Sequence, residues 1–77
     1  MDWNRIVAGN LRRLRLARKL TQEQLGHEAG IDLTYVGRIE RNQKNPTVDV
    51  IGRLAAALGV HPSAFFDEIG GEQLPLR

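Results

Sequence analysis

One segment constrains the fold more than any other part of the chain, because it encodes two short helices joined by a tight turn. Thr21 can cap a helix N-terminus, and Gln24 stands three residues later, where it can complete a capping box. Gly30 suits the left-handed backbone that commonly ends a helix. Asp32 can cap the helix that follows. The sequence therefore predicts helix, turn and helix at about residues 21–41.

The second of these helices has a narrow apolar edge and a wide face without a partner inside the chain. Val36 and Ile39 form the edge that is expected to face the core. The opposite face is expected to stay open and carries Leu33, Thr34, Gly37 and Arg38. A short helix that gives little of its surface to the core offers the rest to a partner. This arrangement is typical of a helix-turn-helix motif whose second helix lies in the major groove of DNA.

The whole chain of 77 residues predicts one small, compact, all-α domain of five helices without strands. Helix 1 is predicted at about residues 2–18, with Trp3, Val7, Leu11 and Leu14 on one face. Helix 2 is predicted at about 22–29, helix 3 at about 33–41, and helix 4 between its cap Thr47 and Gly59. A short helix 5 is predicted to begin at Pro62 and to carry Phe65, Phe66 and Ile69. Gly70 and Gly71 end the predicted domain, which covers residues 1–71. Residues 72–77 are expected to form a short C-terminal tail.

Composition argues against several classes of protein. The chain has no cysteine, so neither a disulfide framework nor a cysteine-based zinc site is expected. His27 and His61 are the only histidines, and they form no recognisable catalytic constellation with Ser63 or the acidic residues. No apolar run approaches the roughly 20 residues that span a bilayer, and the N-terminus lacks a secretory signal. We therefore expect a cytoplasmic binding protein and not an enzyme, without metal, cofactor, small-molecule ligand or membrane partner.

Charge is distributed unevenly along the chain. Residues 1–45 hold nine lysines and arginines against five acidic residues, a net charge of +4, whereas residues 46–77 hold two against four, a net charge of −2. A one-sided basic surface at the helix-turn-helix end favours a polyanionic partner there. The alternative is that the basic residues of helix 1 only keep its surface solvated; these are Arg12, Arg13, Arg18 and Lys19.

From Leu11 to Phe66 the chain resembles the lambda-repressor-like helix-turn-helix family, also called the XRE family. The matching signals are Leu14-Arg15, Leu20-Thr21-Gln22-Glu23, Leu25, Gly30, Tyr35-Val36, Ile39-Glu40, Asn45-Pro46 and Leu58-Gly59-Val60. Within the family, LTYVGRIERNQKNP at residues 33–46 is similar to the small controller proteins of restriction–modification systems. The resemblance implies a sequence-specific regulator of transcription that binds double-stranded DNA as a homodimer on a roughly palindromic operator. An antitoxin-type module that blocks a partner protein and binds DNA secondarily is the alternative.

The resemblance also implies which residues contact DNA. Gln22 matches the family glutamine that bonds a phosphate. Leu33, Thr34 and Arg38 fall where the family reads base edges, with arginine suited to guanine and the apolar groups suited to a thymine methyl. Gly37 either lets helix 3 approach the groove closely or is only a small exposed residue. Phosphate contacts are expected from the loop residues Arg41, Asn42, Lys44 and Asn45.

Tyr35 has three interpretations: it contacts the sugar–phosphate backbone, it lies against the partner subunit's side of the groove, or it packs against helix 2.

Two positions differ from controller proteins, which usually have a basic residue in place of Leu33 and a small one in place of Arg38. The operator of a relative therefore cannot be transferred to this chain. Lys19 stands where relatives often have glycine, so the corner between helices 1 and 2 is expected to close differently.

Two structural roles complete the sequence predictions. By resemblance, Arg15 and Glu40 are expected to form a salt bridge between helix 1 and the end of helix 3. A homodimer contact is predicted at the helix 4–helix 5 end through Val60, Ala64 and Phe65. Neighbours on a helix lie about 100° apart, so one phenylalanine ring should face inward and the other should border the surface. The competing view is that both rings are core and that the protein dimerises only on DNA.

Overall fold

Four α-helices and one 3₁₀ helix make up the part of the chain that the structure, a computed structural model, describes: residues 2–68. The elements are α1 (Trp3–Ala17), α2 (Gln22–Ala29), α3 (Leu33–Glu40), α4 (Val48–Leu58) and the 3₁₀ helix (Pro62–Phe66), and no strand occurs among these residues. The prediction of all-helical structure is confirmed, but the prediction of a fifth α-helix is wrong.

The last element is a 3₁₀ helix because it is too short to build repeated α-helical bonds. The Ala64 amide donates to the His61 carbonyl oxygen at 2.9 Å, and Asp67 already has extended backbone angles. His61 caps this helix, since its Nδ1 accepts from the Ser63 amide at 3.1 Å. Ile69, which was expected to continue the helix, lies outside the described residues, as do Gly70, Gly71 and the predicted tail 72–77.

The four α-helices all begin at a capping side chain. Thr21 and Gln24 form the predicted capping box, with reciprocal bonds of 3.0 and 2.8 Å. The predicted caps Asp32 and Thr47 are confirmed as well, accepting from the Thr34 and Val50 amides. Asp2 caps α1 in the same way. These side chains satisfy amides that the first helical turn cannot satisfy itself.

Each α-helix is followed by one residue in the left-handed region, after which the chain turns away. Two of these residues are the predicted glycines Gly30 and Gly59, and the other two are Lys19 (φ 58°) and Asn42 (φ 59°). After Lys19 the Leu20 amide donates back to the Arg15 carbonyl oxygen at 3.1 Å. The corner between α1 and α2 therefore adopts the left-handed turn that glycine favours, although lysine, the residue present there, disfavours that conformation.

Lys19→Gly is expected to raise the free energy of unfolding by about 0.5–1 kcal/mol, because glycine adopts positive φ without steric penalty and loses only part of that gain to unfolded-state entropy. Urea denaturation of the two proteins measures the change. Arg12→Gly, at an exposed position inside α1, is the control and should instead destabilise by about 1 kcal/mol. Equal destabilisation by both substitutions would contradict this interpretation of Lys19.

The core lies where all five elements meet. Contacts run from α1 to α3 and to the 3₁₀ helix, from α2 to α3 and α4, and from α4 to the 3₁₀ helix. The buried cluster consists of Val7, Leu11, Leu25, Ala29, Val36, Ile39, Leu54, Ala55, Leu58 and Phe65. Trp3, which was predicted to share one face of helix 1 with Val7 and Leu11, is exposed outside this cluster and lies against Phe66 with ring centroids 6.2 Å apart.

Asn10 is a buried polar anchor inside α1 that the sequence interpretation missed. Its Nδ2 donates to the carbonyl oxygens of Phe65 (2.8 Å) and Asp67 (2.7 Å), and its Oδ1 accepts from the guanidinium of Arg13. These bonds satisfy carbonyls at the end of the 3₁₀ helix and fasten it to α1.

The predicted interface role of Phe65 is wrong. Phe65 is 0% exposed within its own chain, whereas its neighbour Phe66 is 42% exposed. One ring does face inward and the other does border the surface, but Phe65 is the inward ring and Phe66 is the one at the surface. Val60 and Ala64, the other two predicted interface residues, are half-buried.

None of the helices within residues 2–68 is long and apolar enough to cross a membrane; α1, the longest, has 15 residues.

Candidate nucleic-acid interface

The turn between α2 and α3 fixes the N-terminal end of α3. The Ile31 amide donates to the Gly26 carbonyl oxygen at 2.7 Å, and Asp32 caps α3 directly afterwards. A Cβ on Gly26 would lie 2.5 Å from the Ile31 carbonyl oxygen, so the observed turn is closer to α2 than a side chain permits. Gly26 was missed from the sequence, where its one signal is a glycine inside a helix.

A buried ion pair fixes the other end of α3. Arg15 Nε donates to Glu40 Oε2 at 2.6 Å and Nη2 donates to Oε1 at 3.0 Å, while Nη1 donates to the Leu20 carbonyl oxygen at 2.8 Å. The two side chains are only 10% and 4% exposed. The hydrogen bonds to Glu40 raise the pKa of Arg15 against the opposing effect of burial, and the carboxylate charge adds a smaller contribution in the same direction as the hydrogen bonds. The predicted ion pair is thus present and joins α1 to α3.

Gln22 connects α2 to the same carboxylate. Its Nε2 donates to Glu40 Oε1 at 3.1 Å, and the residue is half-buried. The side chain that was predicted to bond a phosphate therefore already has a partner in this structure. Its Oε1 lies over the backbone of α3 at Gly37.

Between its two fixed ends, α3 presents an open face. Leu33 is 46% exposed, Thr34 and Arg38 are exposed, and the opposite edge is buried. The prediction that Gly37 shares this open face is wrong, because Gly37 is buried. Two polar side chains cover it: Nη1 of Arg41 and Oε1 of Gln22 lie 3.1 and 3.3 Å from where its Cβ would stand.

A shallow groove of about 200 Å³ runs beside the open face; its lining residues are Asp32, Thr34, Tyr35, Arg38 and Lys44. Tyr35 is half-buried and packs against the core cluster, and Lys44 Nζ lies 5.8 Å from the centroid of its ring. Two cations, Arg38 and Lys44, therefore flank one depression next to α3.

The four basic residues singled out at helix 1 divide into two groups. Arg18 Nη1 donates to the Leu58 carbonyl oxygen at 2.6 Å, and Arg13 bonds Asn10, so these two have partners within the fold. Arg12 and Lys19 are exposed. The four loop residues predicted to meet phosphates are exposed after α3; they are Arg41, Asn42, Lys44 and Asn45.

A comparison with protein families shows the family to which this chain belongs. The family model HTH_3, described as helix-turn-helix, matches residues 11–65 and so contains every element from the middle of α1 to the 3₁₀ helix. The chain is a member of the lambda-repressor-like (XRE) helix-turn-helix family. In this XRE-family protein α2 and α3 are the two helices of the motif.

Its relatives include regulators and control proteins. An uncharacterized HTH-type transcriptional regulator of Sinorhizobium fredii, y4dJ, is 42% identical over 60 residues, which are 78% of each chain. The control protein C.SmaI of Serratia marcescens is 41% identical over 58 residues, 75% of this chain and 69% of that one. The crystal structure of the restriction–modification controller protein C.AhdI from Aeromonas hydrophila superposes with a TM-score of 0.80 at 40% identity, covering 82% of this chain and 96% of that one.

Proposed function

We propose that this XRE-family protein is a cytoplasmic, sequence-specific regulator of transcription that binds double-stranded DNA and inserts α3 into the major groove. One observation carries the proposal: α3 is held at both ends but leaves Leu33, Thr34 and Arg38 exposed along one face. Arg38 can donate two hydrogen bonds to guanine O6 and N7. Leu33 and the Thr34 methyl can contact a thymine methyl.

The residues around α3 would set its register on the duplex. Exposed side chains on the loop after α3 can donate to phosphates, and the start of α2 with Gln22 lies at the other flank of the helix. The groove between Arg38 and Lys44 would then face the boundary between bases and backbone. Such contacts position the protein on all DNA sequences, while the α3 face selects among them.

The functional unit would be a homodimer. One recognition helix contacts only a few base pairs, and two copies about 34 Å apart would read successive major-groove faces of a roughly palindromic operator. The segment 60–66 supports this, because it combines the exposed ring of Phe66 with two half-buried apolar residues, Val60 and Ala64.

Sedimentation at micromolar concentration without DNA tests the dimer. The wild-type protein is expected to sediment as a dimer, and Phe66→Asp and Val60→Asp are expected to give monomers. Val48→Asp is the control, because Val48 is highly exposed on the first turn of α4 and is not assigned to this surface. A wild-type monomer whose sedimentation no substitution changes would exclude the interface.

The regulated genes would be those of a restriction–modification system. Support comes from the likeness to C.SmaI, a control protein, and to C.AhdI, a restriction–modification controller protein. Genes for an endonuclease and a methyltransferase are then expected next to the gene for this chain. A reporter fused to the promoter of the chain's own operon should respond to expression of the protein. A reporter that is unchanged by expression would argue against this role.

Selection from a random duplex library tests the binding function itself. The expected product is an inverted repeat with half-site centres about 10 base pairs apart, one turn of the duplex. The selected duplex should bind far more tightly than a scrambled one at the same salt concentration. Equal affinity for both would contradict sequence-specific binding.

Lys44→Ala is expected to weaken binding to selected and scrambled DNA alike, because the exposed Lys44 is assigned to a phosphate and not to a base. Removing one cation from a phosphate should reduce the slope of log affinity against log salt by about 0.9, hence by roughly two for a dimer. Titrations across a salt series measure it. Arg53→Ala is the control cation, which pairs with Asp49 at 3.0 Å on α4 and should leave the slope unchanged.

A further inference from the structure

We infer that Gly37 is a positioning residue, which forms a seat on α3 for the guanidinium of Arg41 and so presents that group to one DNA phosphate next to Gln22. The inference rests on the proposed DNA binding and goes beyond it. In this inference Gly37 makes room for a side chain of the same protein, whereas the sequence suggested that its small size lets DNA approach α3.

The geometry of the seat is defined by three atoms. A Cβ on Gly37 would lie 3.1 Å from Arg41 Nη1, 3.6 Å from Arg41 Nη2 and 3.3 Å from Gln22 Oε1. Residues four apart share one face of a helix, and long side chains fold back over the preceding turn. The Arg41 guanidinium therefore lies on the backbone that a side chain at position 37 would otherwise cover.

The seated guanidinium keeps its phosphate-binding edge available. Its Nε donates to Gln43 Oε1 at 3.3 Å, while Nη1 and Nη2 have no hydrogen-bond partner among residues 2–68. A pair of Nη groups can donate to two oxygens of one phosphate. Gln22 lies on the other side, at the first turn of α2, where the helix N-terminus favours an anion.

Seating the side chain in the free protein would favour binding. A long arginine loses rotamer freedom when it is fixed, and fixing it before DNA arrives removes part of that loss from the binding step. Gly37 itself lowers the stability of α3 relative to alanine. Alanine would fit there if the ends of two flexible side chains moved by a few tenths of an ångström, so the substitution should loosen Arg41 from its seat without unfolding α3.

A double-mutant cycle separates the seat from a close-approach role. Affinities of wild type, Gly37→Ala, Arg41→Ala and the double variant are measured on the selected and the scrambled duplex. We expect Arg41→Ala to weaken both by about tenfold, the effect of removing a hydrogen bond to a charged group. Gly37→Ala should weaken both by about threefold or more in the wild-type background, and by less than about twofold when Arg41 is already alanine.

Gly52→Ala is the matched control, because Gly52 is an exposed glycine inside α4 whose Cβ would meet nothing within 4 Å. Both glycine substitutions should raise the melting temperature, but only Gly37→Ala should weaken binding. The inference is overturned if Gly37→Ala weakens binding equally with and without Arg41, which is the close-approach result, or if it leaves wild-type binding unchanged. A wild-type protein that binds no duplex at all refutes the proposed function instead.

Discussion

Glu40→Ala should lower the free energy of unfolding by about 3–5 kcal/mol, because it leaves the buried Arg15 guanidinium without its carboxylate. The same substitution removes the acceptor of Gln22 and so frees α2 from the end of α3. Small domains are stable by only about 5–15 kcal/mol, so the variant is expected to be partly unfolded at moderate temperature. Glu40 itself is not assigned to the DNA, so the variant should lose thermal stability before it loses intrinsic DNA affinity.

Urea denaturation with a matched glutamate separates this effect from a general loss of charge. Glu28→Ala, at an exposed position on α2, should change the free energy of unfolding by no more than about 0.5 kcal/mol. Replacing both partners, Arg15→Met with Glu40→Leu, should cost far less than either single change, because no buried charge is left unpaired. A Glu40→Ala protein that melts like wild type yet cannot bind DNA would contradict the structural role.

The contribution of the ion pair to stability depends on pH through the titration of Arg15. Because the pKa of Arg15 is raised in the folded state, its contribution to stability is complete at all pH values below its unfolded pKa. That contribution declines only as the pH rises through the folded value, in strongly alkaline solution. Titration of Arg15 therefore contributes no change in stability around neutral pH.

Phe65→Ala should destabilise by about 3–5 kcal/mol, while Phe66→Ala should cost much less, although the two residues are neighbours of the same type. Phe65 is 0% exposed in the cluster between α1 and α4, so its removal leaves a cavity. Phe66 is 42% exposed and contacts Trp3. Thermal or urea unfolding of both variants measures the difference.

The sole tryptophan provides a second measurement for this pair. Trp3 lies 6.2 Å from the Phe66 ring, so Phe66→Ala should change the intrinsic fluorescence of the folded protein. Similar losses of stability from both substitutions would mean that both rings are core, which is the competing view of this end of the domain.

Local signals made most of the fold predictable. Helix starts depend on one capping side chain and its near neighbours, so Thr21, Asp32 and Thr47 could be assigned from sequence. Gly30 and Gly59 likewise identify two helix ends. Lysine itself carries no preference for the left-handed conformation of Lys19, so the one signal for it was the glycine that relatives often have at this position.

Features that depend on distant parts of the chain were missed or misassigned. Helical periodicity indicated that one phenylalanine is buried, but which one depends on how the 3₁₀ helix meets α1, where Asn10 bonds carbonyls 55 and 57 positions away. Gly37 was placed on the open face by its helical position alone. Its burial comes from Gln22 on α2 and from Arg41, which folds back over α3 from four positions further on, and the helical position of Gly37 alone indicates neither contact.

Affinity of Arg38→Ala for the selected and the scrambled duplex tests the central claim, that the open face of α3 reads base edges. The substitution should weaken binding to the selected duplex by about 1–3 kcal/mol per half-site and leave binding to the scrambled duplex almost unchanged. Arg12→Ala, an exposed arginine on α1 that is not assigned to bases, should preserve the discrimination between the two. If Arg38→Ala weakens both duplexes equally, α3 does not read the sequence through this face.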